Sequence, residues 1–203
     1  NLLLACGGSA IMADEMEEAE EVTSLCGGLV LNLGTPNPRK VEAMLRAGRE
    51  ANRMGRPVVF DPVGVGCSAF RREASSRILE QVQLSVIRGN ASEIAALTGG
   101  EAGRCGVDAD ASAASAEKSA RLLAKKTGAV VVASGATDLV TDGEALYCVH
   151  NGHPMMRTVT GTGCQLSALT GAYVAANPQN LLRAALAATC AMGLCGEIAQ
   201  GRL

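Results

Sequence analysis

Residues 57-PVVFDPVGVGCSAFRREASSRILEQV-82 contain the most informative strand–helix unit of this chain. The run 57–61 is apolar until its last residue, which is typical of a strand buried on both faces. Residues 69–82 then place apolar side chains at helical spacing. A buried strand followed at once by a helix is the repeating unit of a parallel sheet whose faces are covered by helices.

Similar units lie on either side of this one. Further strands are predicted at 29–34, 84–89 and 129–134, and further helices at 38–55, 90–97 and 116–128. The alternation stops at 138–152, where Asp142-Gly143 between two apolar runs is typical of a β-hairpin. Helices are expected again from about residue 164 and over 180–199. Residues 1–203 are therefore expected to form one α/β domain, with a mainly parallel sheet and a late hairpin.

Composition narrows the classes of function. The 203 residues carry 18 basic and 20 acidic side chains, a net charge of −2, and only two Tyr, two Phe and no Trp. We therefore expect no nucleic-acid partner. No run approaches the length of a transmembrane helix, so no membrane partner is expected either. The eight cysteines contain no C-x-x-C pair, which favours free thiols in a reducing cytosol over disulfides or a zinc site.

Polar residues follow the predicted strands, and in open parallel sheets ligands bind at this edge. Asp61 ends the strand at 57–61. Gly64-x-Gly66-x-x-Ala69 after it matches the dinucleotide-binding fingerprint, but Asp61-Pro62-Val63 separates the glycines from the strand. That fingerprint also requires an acidic residue at the end of the next strand, and this chain has none there. We therefore favour a tight strand-to-helix turn here over a dinucleotide site.

The segment 87-IRGNASEI-94 has two interpretations. Arg88 ends a predicted strand, and its planar guanidinium suits phosphate oxygens. Asn90 and Glu93 have the spacing of a helix capping box. They equally place oxygen ligands on one helical face, where these can hold Mg²⁺ through water. Ser134 similarly ends the strand at 129–134 and can reach a nucleotide phosphate, although Ser-Gly is also common in turns.

The loop 160-TGTGCQL-166 precedes an apolar helix. Gly161 and Gly163 allow the backbone to approach a ligand, and Thr160 and Thr162 are candidate caps. The positive end of the helix points at the loop, which favours a bound anion and a thiolate at Cys164. The chain has no Walker A motif, so an anion bound here is not held by a P-loop. Cys164 is thus open to a chemical role or a packing role.

Taken together, these segments resemble the hydroxyethylthiazole kinases of the ribokinase-like superfamily. The similarity runs in order through GGSAIMA, LVLNLGT, PVVFDPVGVG, SVIRGNASEIAAL, VTDG, NGHPMM and VTGTGCQLSA. It implies a three-layer α/β/α fold and ATP- and Mg²⁺-dependent phosphorylation of 4-methyl-5-(2-hydroxyethyl)thiazole in thiamine salvage. It also implies a cytoplasmic homotrimer with active sites at subunit interfaces, and family elements beyond both ends of residues 1–203.

The resemblance implies a role for each matching residue. The thiazole would be bound by Met12 and Gly161, the ATP phosphates by Arg88 and Ser134, and Mg²⁺ by Asp61 and Glu93. Cys164 would be catalytic, since it stands where most ribokinase-like enzymes carry an aspartate base. The chain departs from the family pattern at Ala10, where Pro is usual, and at Ser134, where Thr is more usual.

Three alternatives remain open at this stage. A hydroxymethylpyrimidine kinase or an NAD(P)H-hydrate dehydratase would share the superfamily, but would be expected to carry Asp in place of Cys164. A ligand-binding pseudoenzyme, or a fragment of this fold, would keep the pocket without turnover. A cysteine hydrolase would use Cys164 as its nucleophile, with His150 or His153 close in space.

Overall fold

The computed structural model describes residues 1–99 and 113–203. Its centre is a six-stranded sheet with the strands in chain order. The strands are β1 (Leu29–Asn32), β2 (Val58–Asp61), β3 (Val86–Asn90), β4 (Val130–Ser134), β5 (Asp138–Thr141) and β6 (Leu146–Val149). Strands β1 to β4 pair in parallel, whereas β4, β5 and β6 pair antiparallel. The prediction of a mainly parallel sheet with a late hairpin is confirmed.

Helices fill most of the connections that the structure describes. They are α1 (Leu2–Ala5), α2 (Ala19–Ser24), α3 (Pro38–Arg53), α4 (Ala69–Gln81), α5 (Ala91–Leu97), α6 (Ala113–Thr127), α7 (Thr162–Ala176) and α8 (Leu181–Gln200). Their starts follow local signals: the Asn37 side chain accepts from Lys40 N to cap α3, and Ser68 caps α4 in the same way. The described part of α6 already begins at Ala113 and α7 at Thr162, both earlier than predicted.

The strands sort their side chains onto two faces of the sheet. In β2, Val58 and Phe60 join one core with side chains of α3, α4, α5 and α6, while Val59 joins another with α7 and α8. All three residues are fully buried. Because successive side chains of a strand point to opposite faces, a strand covered on both sides is apolar throughout. The protein is therefore a three-layer α/β/α sandwich, as expected.

Helix α8 is more apolar than the sequence expectation allowed. It is 20 residues long and contains an 18-residue stretch with a mean hydropathy of 1.4, enough by length and composition alone to cross a membrane. The expectation that no run approaches this length was wrong on that measure. In the structure Ala184 and Ala185 pack into the second core, while Leu194 and Ile198 are about half exposed. Packing on the sheet accounts for the apolar character of the buried face.

The cysteines agree with the expectation of free thiols. Seven lie in the described ranges, and all seven are free. Cys105 lies outside the described residues. Cys164 lies in the first turn of α7 and is exposed, so its thiol is accessible to a ligand.

Candidate active site

Asp61 lies at the centre of the candidate site, fully buried at the end of β2. Its Oδ2 atom accepts hydrogen bonds from Asn32 Nδ2 at 2.9 Å and from Ser167 Oγ at 2.7 Å. Within the described residues its Oδ1 atom is buried without a partner. A buried carboxylate oxygen in this state is expected to meet a ligand or a proton.

The environment of Asp61 shifts the pKa of its carboxyl. Burial raises its pKa above the ordinary value, and the positive charge of Arg88 opposes this shift. The hydrogen bond from Ser167 also lowers the pKa, the negative charge of Glu93 raises it, and hydrogen bonding from Cys164 lowers it. The net direction is upward, so Asp61 carries its negative charge at an energetic cost that a bound cation or donor would relieve.

Arg88 lies next to three residues that the sequence analysis singled out, Ser134, Asp61 and Gly163. Its side chain is almost fully buried in β3, and its Nη2 donates to Ser134 Oγ at 2.6 Å. Its Nη1 lies 3.9 Å from Asp61 Oδ2. The guanidinium also packs against Gly163, where a Cβ atom would lie 2.6 Å from Nη1. A buried cation therefore lies directly under the glycine loop.

The start of α7 differs from the expectation in one respect. Thr160 and Thr162 were predicted as caps, but the N-cap residue is Gly161, and no side chain caps the helix. Thr162 lies inside the helix, and its hydroxyl donates a hydrogen bond to Met156 O at 3.3 Å. Gly161 has a φ of 89°, a conformation that a side chain disfavours. The first amides of a 15-residue helix thus remain open to an anion beside Arg88.

Glu93 forms the predicted capping box and also binds a second backbone amide. Its Oε2 accepts from Asn90 N at 2.8 Å while Asn90 Oδ1 accepts from Glu93 N at 2.9 Å, so a full capping box begins α5. Its Oε1 accepts from Gly64 N at 2.8 Å. This bond occupies the Gly64 amide that a dinucleotide phosphate would need, which agrees with the interpretation as a turn. Each carboxylate oxygen still has a further lone pair for a metal-bound water.

Other predicted residues lie apart from this cluster or are held elsewhere. Met12 is 92 % exposed, so its side chain is not packed against Asp61. His150 Nδ1 lies 3.3 Å from Thr137 Oγ1, and His153 Nδ1 accepts from Met155 N. Both bonds involve Nδ1, and among the described residues neither imidazole is hydrogen-bonded to Cys164.

Sequence reasoning missed three residues around the site. Asn32 and Ser167 hold the Asp61 carboxylate, and Asp138 Oδ1 accepts from Gly135 N at 2.9 Å beside Ser134. Burial raises the pKa of Asp138, and the Gly135 amide and the charge of Arg88 oppose the shift. A signal existed for Asn32, which ends β1 as Asp61 ends β2. Ser167 lies 106 positions from Asp61, and no local pattern connects the two.

A comparison with solved structures identifies the fold of this protein. The structure of a ribokinase-like superfamily protein from Enterococcus faecalis matches with a TM-score of 0.65 over 92 % of this chain and 61 % of that chain, at 13 % identity. The molecule therefore has a ribokinase-like fold.

The family follows from closer relatives. The model of the hydroxyethylthiazole kinase family matches residues 1–202. A hydroxyethylthiazole kinase of Clostridium acetobutylicum is 49 % identical over 210 residues, 100 % of this chain and 77 % of that protein. The structure of a hydroxyethylthiazole kinase from Pyrococcus horikoshii is 39 % identical with a TM-score of 0.80, over 91 % of this chain and 69 % of that one. The chain belongs to the hydroxyethylthiazole kinase family.

Proposed function

We propose that this protein phosphorylates the hydroxyl group of 4-methyl-5-(2-hydroxyethyl)thiazole with ATP, a step of thiamine salvage. Family membership supports the reaction. The observation that carries it at the site is the position of Arg88, buried under the uncapped start of α7 and bonded to Ser134. A buried guanidinium and open helix amides are what a transferring phosphoryl group needs, since its charge must be neutralised where it develops.

Arg88 and Ser134 bind the ATP phosphates in this proposal. The 2.6 Å bond between them aligns the guanidinium, so its orientation is established before substrate arrives. Preorganisation of this kind avoids rearrangement during transfer. Gly161 lets the loop backbone approach the thiazole alcohol, because it has no side chain and adopts a left-handed conformation.

Cys164 acts at the acceptor hydroxyl. Its exposed thiol lies in the first turn of α7, next to the loop that would hold the phosphoryl group. Cys164 is among the groups that lower the pKa of the buried Asp61 carboxyl. Phosphoryl transfer through a loose transition state depends mainly on positioning and charge. Cys164 is therefore assigned to orienting the hydroxyl and accepting its proton, with a smaller share of the rate than Arg88.

Asp61 and Glu93 suit a magnesium ion that arrives with ATP. The unpartnered Oδ1 of Asp61 and the nearby charge of Glu93 provide oxygen atoms and negative charge. The described residues contain no group of three or more His, Cys, Asp or Glu side chains that could hold a metal ion. Mg²⁺ commonly takes one or two carboxylates together with phosphate oxygens and water. Bound in this way, it would neutralise charge on the ATP phosphates.

Met12 completes the proposed thiazole site from a neighbouring subunit. Met12 and Ile11 are 92 % and 57 % exposed, which suits contact with a second copy of the chain. Ion pairs from Arg39 to Glu15 and from Lys40 to Asp14 hold the residues just after them. A cytoplasmic homotrimer with interfacial active sites accounts for this exposure, and residues 1–203 would act in it as one kinase domain.

The test is ATP-dependent phosphorylation with Mg²⁺, using the thiazole alcohol, hydroxymethylpyrimidine and no acceptor in parallel. Product is expected only with the thiazole alcohol. Phosphorylation of the pyrimidine instead would reassign the substrate within the superfamily. Binding of ATP and thiazole without any product would support the pseudoenzyme alternative and contradict the proposed reaction.

A further inference from the structure

Arg71 joins two loops at the edge of the sheet where the site lies. It occupies the first turn of α4, where its backbone N–H donates to the capping hydroxyl of Ser68. Its Nη1 donates to the carbonyl oxygens of Leu33 and Val63, the latter at 2.5 Å, and its Nη2 donates to Gly34 O at 3.0 Å. The guanidinium thus bonds to the chain after β1 and the chain after β2 at once.

The first of these loops leads to Asp61. Leu33 N donates to Asp61 O at 3.0 Å, and Gly34 N donates to Asn32 Oδ1 at 2.7 Å. The same Asn32 side chain donates through Nδ2 to the Asp61 carboxylate. Because Arg71 holds the carbonyls of Leu33 and Gly34, it also fixes the turn that orients Asn32. Asn32 and Ser167 both donate to Oδ2 of Asp61, and Oδ1 remains without a partner among the described residues.

The second loop leads to Glu93. Val63 O is held by Arg71, and the next amide, Gly64 N, donates to Glu93 Oε1. Val63 O and Gly64 N belong to one planar peptide unit, whose carbonyl and amide point in opposite directions, and Gly64 then turns the chain with a φ of 64° in the left-handed region. The loop is therefore held from both sides, by a cation on a carbonyl and by a carboxylate on an amide.

We propose that Arg71 is a positioning residue for phosphoryl transfer, which keeps Asp61 and Glu93 at a fixed separation through these two loops. The inference rests on the proposed function, because it concerns the two carboxylates assigned to magnesium–ATP. Arginine suits the role since its planar guanidinium offers five donors in a fixed geometry, whereas a lysine ammonium cannot reach three carbonyls in this arrangement. Small displacements of catalytic groups have large effects on rate.

The test compares Arg71→Ala and Arg71→Lys with Arg72→Ala. Arg72 is the matched control, because it is the next residue of α4 and donates to one carbonyl, Gly66 O, at the exposed surface. For Arg71→Ala we expect kcat to fall about 10- to 100-fold, as a displacement near 1 Å can cause. The Mg²⁺ concentration for half-maximal rate should rise, while KM for the thiazole alcohol stays within about twofold. Arg71→Lys should fall between, and Arg72→Ala should match wild type.

Two further measurements separate positioning from folding. Thermal melting reports the global fold, and hydrogen exchange reports the Gly34 and Gly64 amides, which should exchange faster in Arg71→Ala than in Arg72→Ala. If Arg71→Ala does not fold, Arg71→Lys with a native melting temperature and reduced kcat supports the inference. Wild-type kcat and Mg²⁺ dependence in a folded Arg71 variant would overturn it. An inactive wild type defeats the proposed function instead, and the exchange comparison still tests the role of Arg71.

Discussion

A Cβ atom on Gly163 would lie 2.6 Å from Nη1 and 3.0 Å from Nη2 of Arg88. Gly161, two residues earlier, has open space around its Cβ position but a φ of 89°. The two glycines of one loop are therefore needed for different reasons. Gly161 supplies a backbone conformation that other residues disfavour, and Gly163 supplies room for a guanidinium.

Gly163→Ala should weaken the use of ATP by displacing Arg88. We expect kcat/KM for ATP to fall about 10- to 100-fold, which corresponds to a coupling of about 1–3 kcal/mol. In an Arg88→Ala background the same substitution should cost little, because the group it displaces is gone. Steady-state kinetics of the four proteins of this double-mutant cycle measure the coupling. Gly161→Ala is the control, since its backbone strain should cost the same with or without Arg88. Equal effects of Gly163→Ala in both backgrounds would contradict the assignment.

Arg88→Ala should cost far more activity than Cys164→Ser. Removing a preorganised group that stabilises transition-state charge commonly lowers kcat about 10²- to 10³-fold. Serine at position 164 replaces the thiol with a hydroxyl that can still orient the acceptor, so we expect a loss of only about 10-fold in kcat. Single-turnover phosphorylation of the thiazole alcohol measures both. Abolished turnover in Cys164→Ser beside an active Arg88→Ala would reverse the roles proposed here.

Ser167→Ala should move the acidic limb of the pH–rate profile to higher pH. The Ser167 hydroxyl lowers the pKa of Asp61 by donating to its carboxylate. Its removal raises that pKa, so the ionised form that the reaction needs is lost earlier as the pH falls. Thr170→Val is the matched control, because Thr170 is equally buried on α7 and donates only to the backbone carbonyl of Leu166. An acidic limb that shifts equally in both variants, or in neither, would argue against the role of Ser167.

Asp61→Asn should increase thermal stability near neutral pH while removing activity. The folded-state pKa of Asp61 is raised, so the protonated carboxyl stabilises the fold below the unfolded pKa, and this contribution is lost as the pH rises through the folded pKa. Asparagine mimics the neutral form. The gain in melting temperature over wild type should therefore be present at neutral pH and shrink as the pH falls. Glu73→Gln, an exposed carboxylate of α4, should show no such trend. A lower melting temperature for Asp61→Asn at neutral pH would mean that its charge stabilises the fold.

Much of the fold could be predicted because its signals are local. Asn37-Pro38 begins α3, and Gly55 follows its end with a φ of 64°. Asp142-Gly143 marks the hairpin, where Asp142 Oδ1 accepts from two backbone amides and Gly143 has a φ of 99°. The start and end of α3 and the hairpin turn each depend on residues within a few positions of one another.

The predicted site residues were recognisable as polar groups at strand ends, but their partners were not. Threonine is a common helix cap, yet Thr162 lies inside α7, and its hydroxyl donates to Met156 O in the preceding turn. Glu93 completes the capping box that its spacing predicts and also holds Gly64, 29 positions away. Spacing along a helix cannot reveal the second bond.

Local periodicity, turn chemistry and family motifs in the chain were thus enough to establish a parallel α/β fold and the residue types of a thiazole kinase. Only the packing of distant segments determined the contacts within the site. Ser167 donates to Asp61, Arg88 packs against Gly163, and Arg71 bonds to two loops. The physical reason is that helix and strand formation depend on neighbours in sequence. The charge state and orientation of a buried carboxylate depend instead on whatever the folded chain brings within hydrogen-bond distance of it.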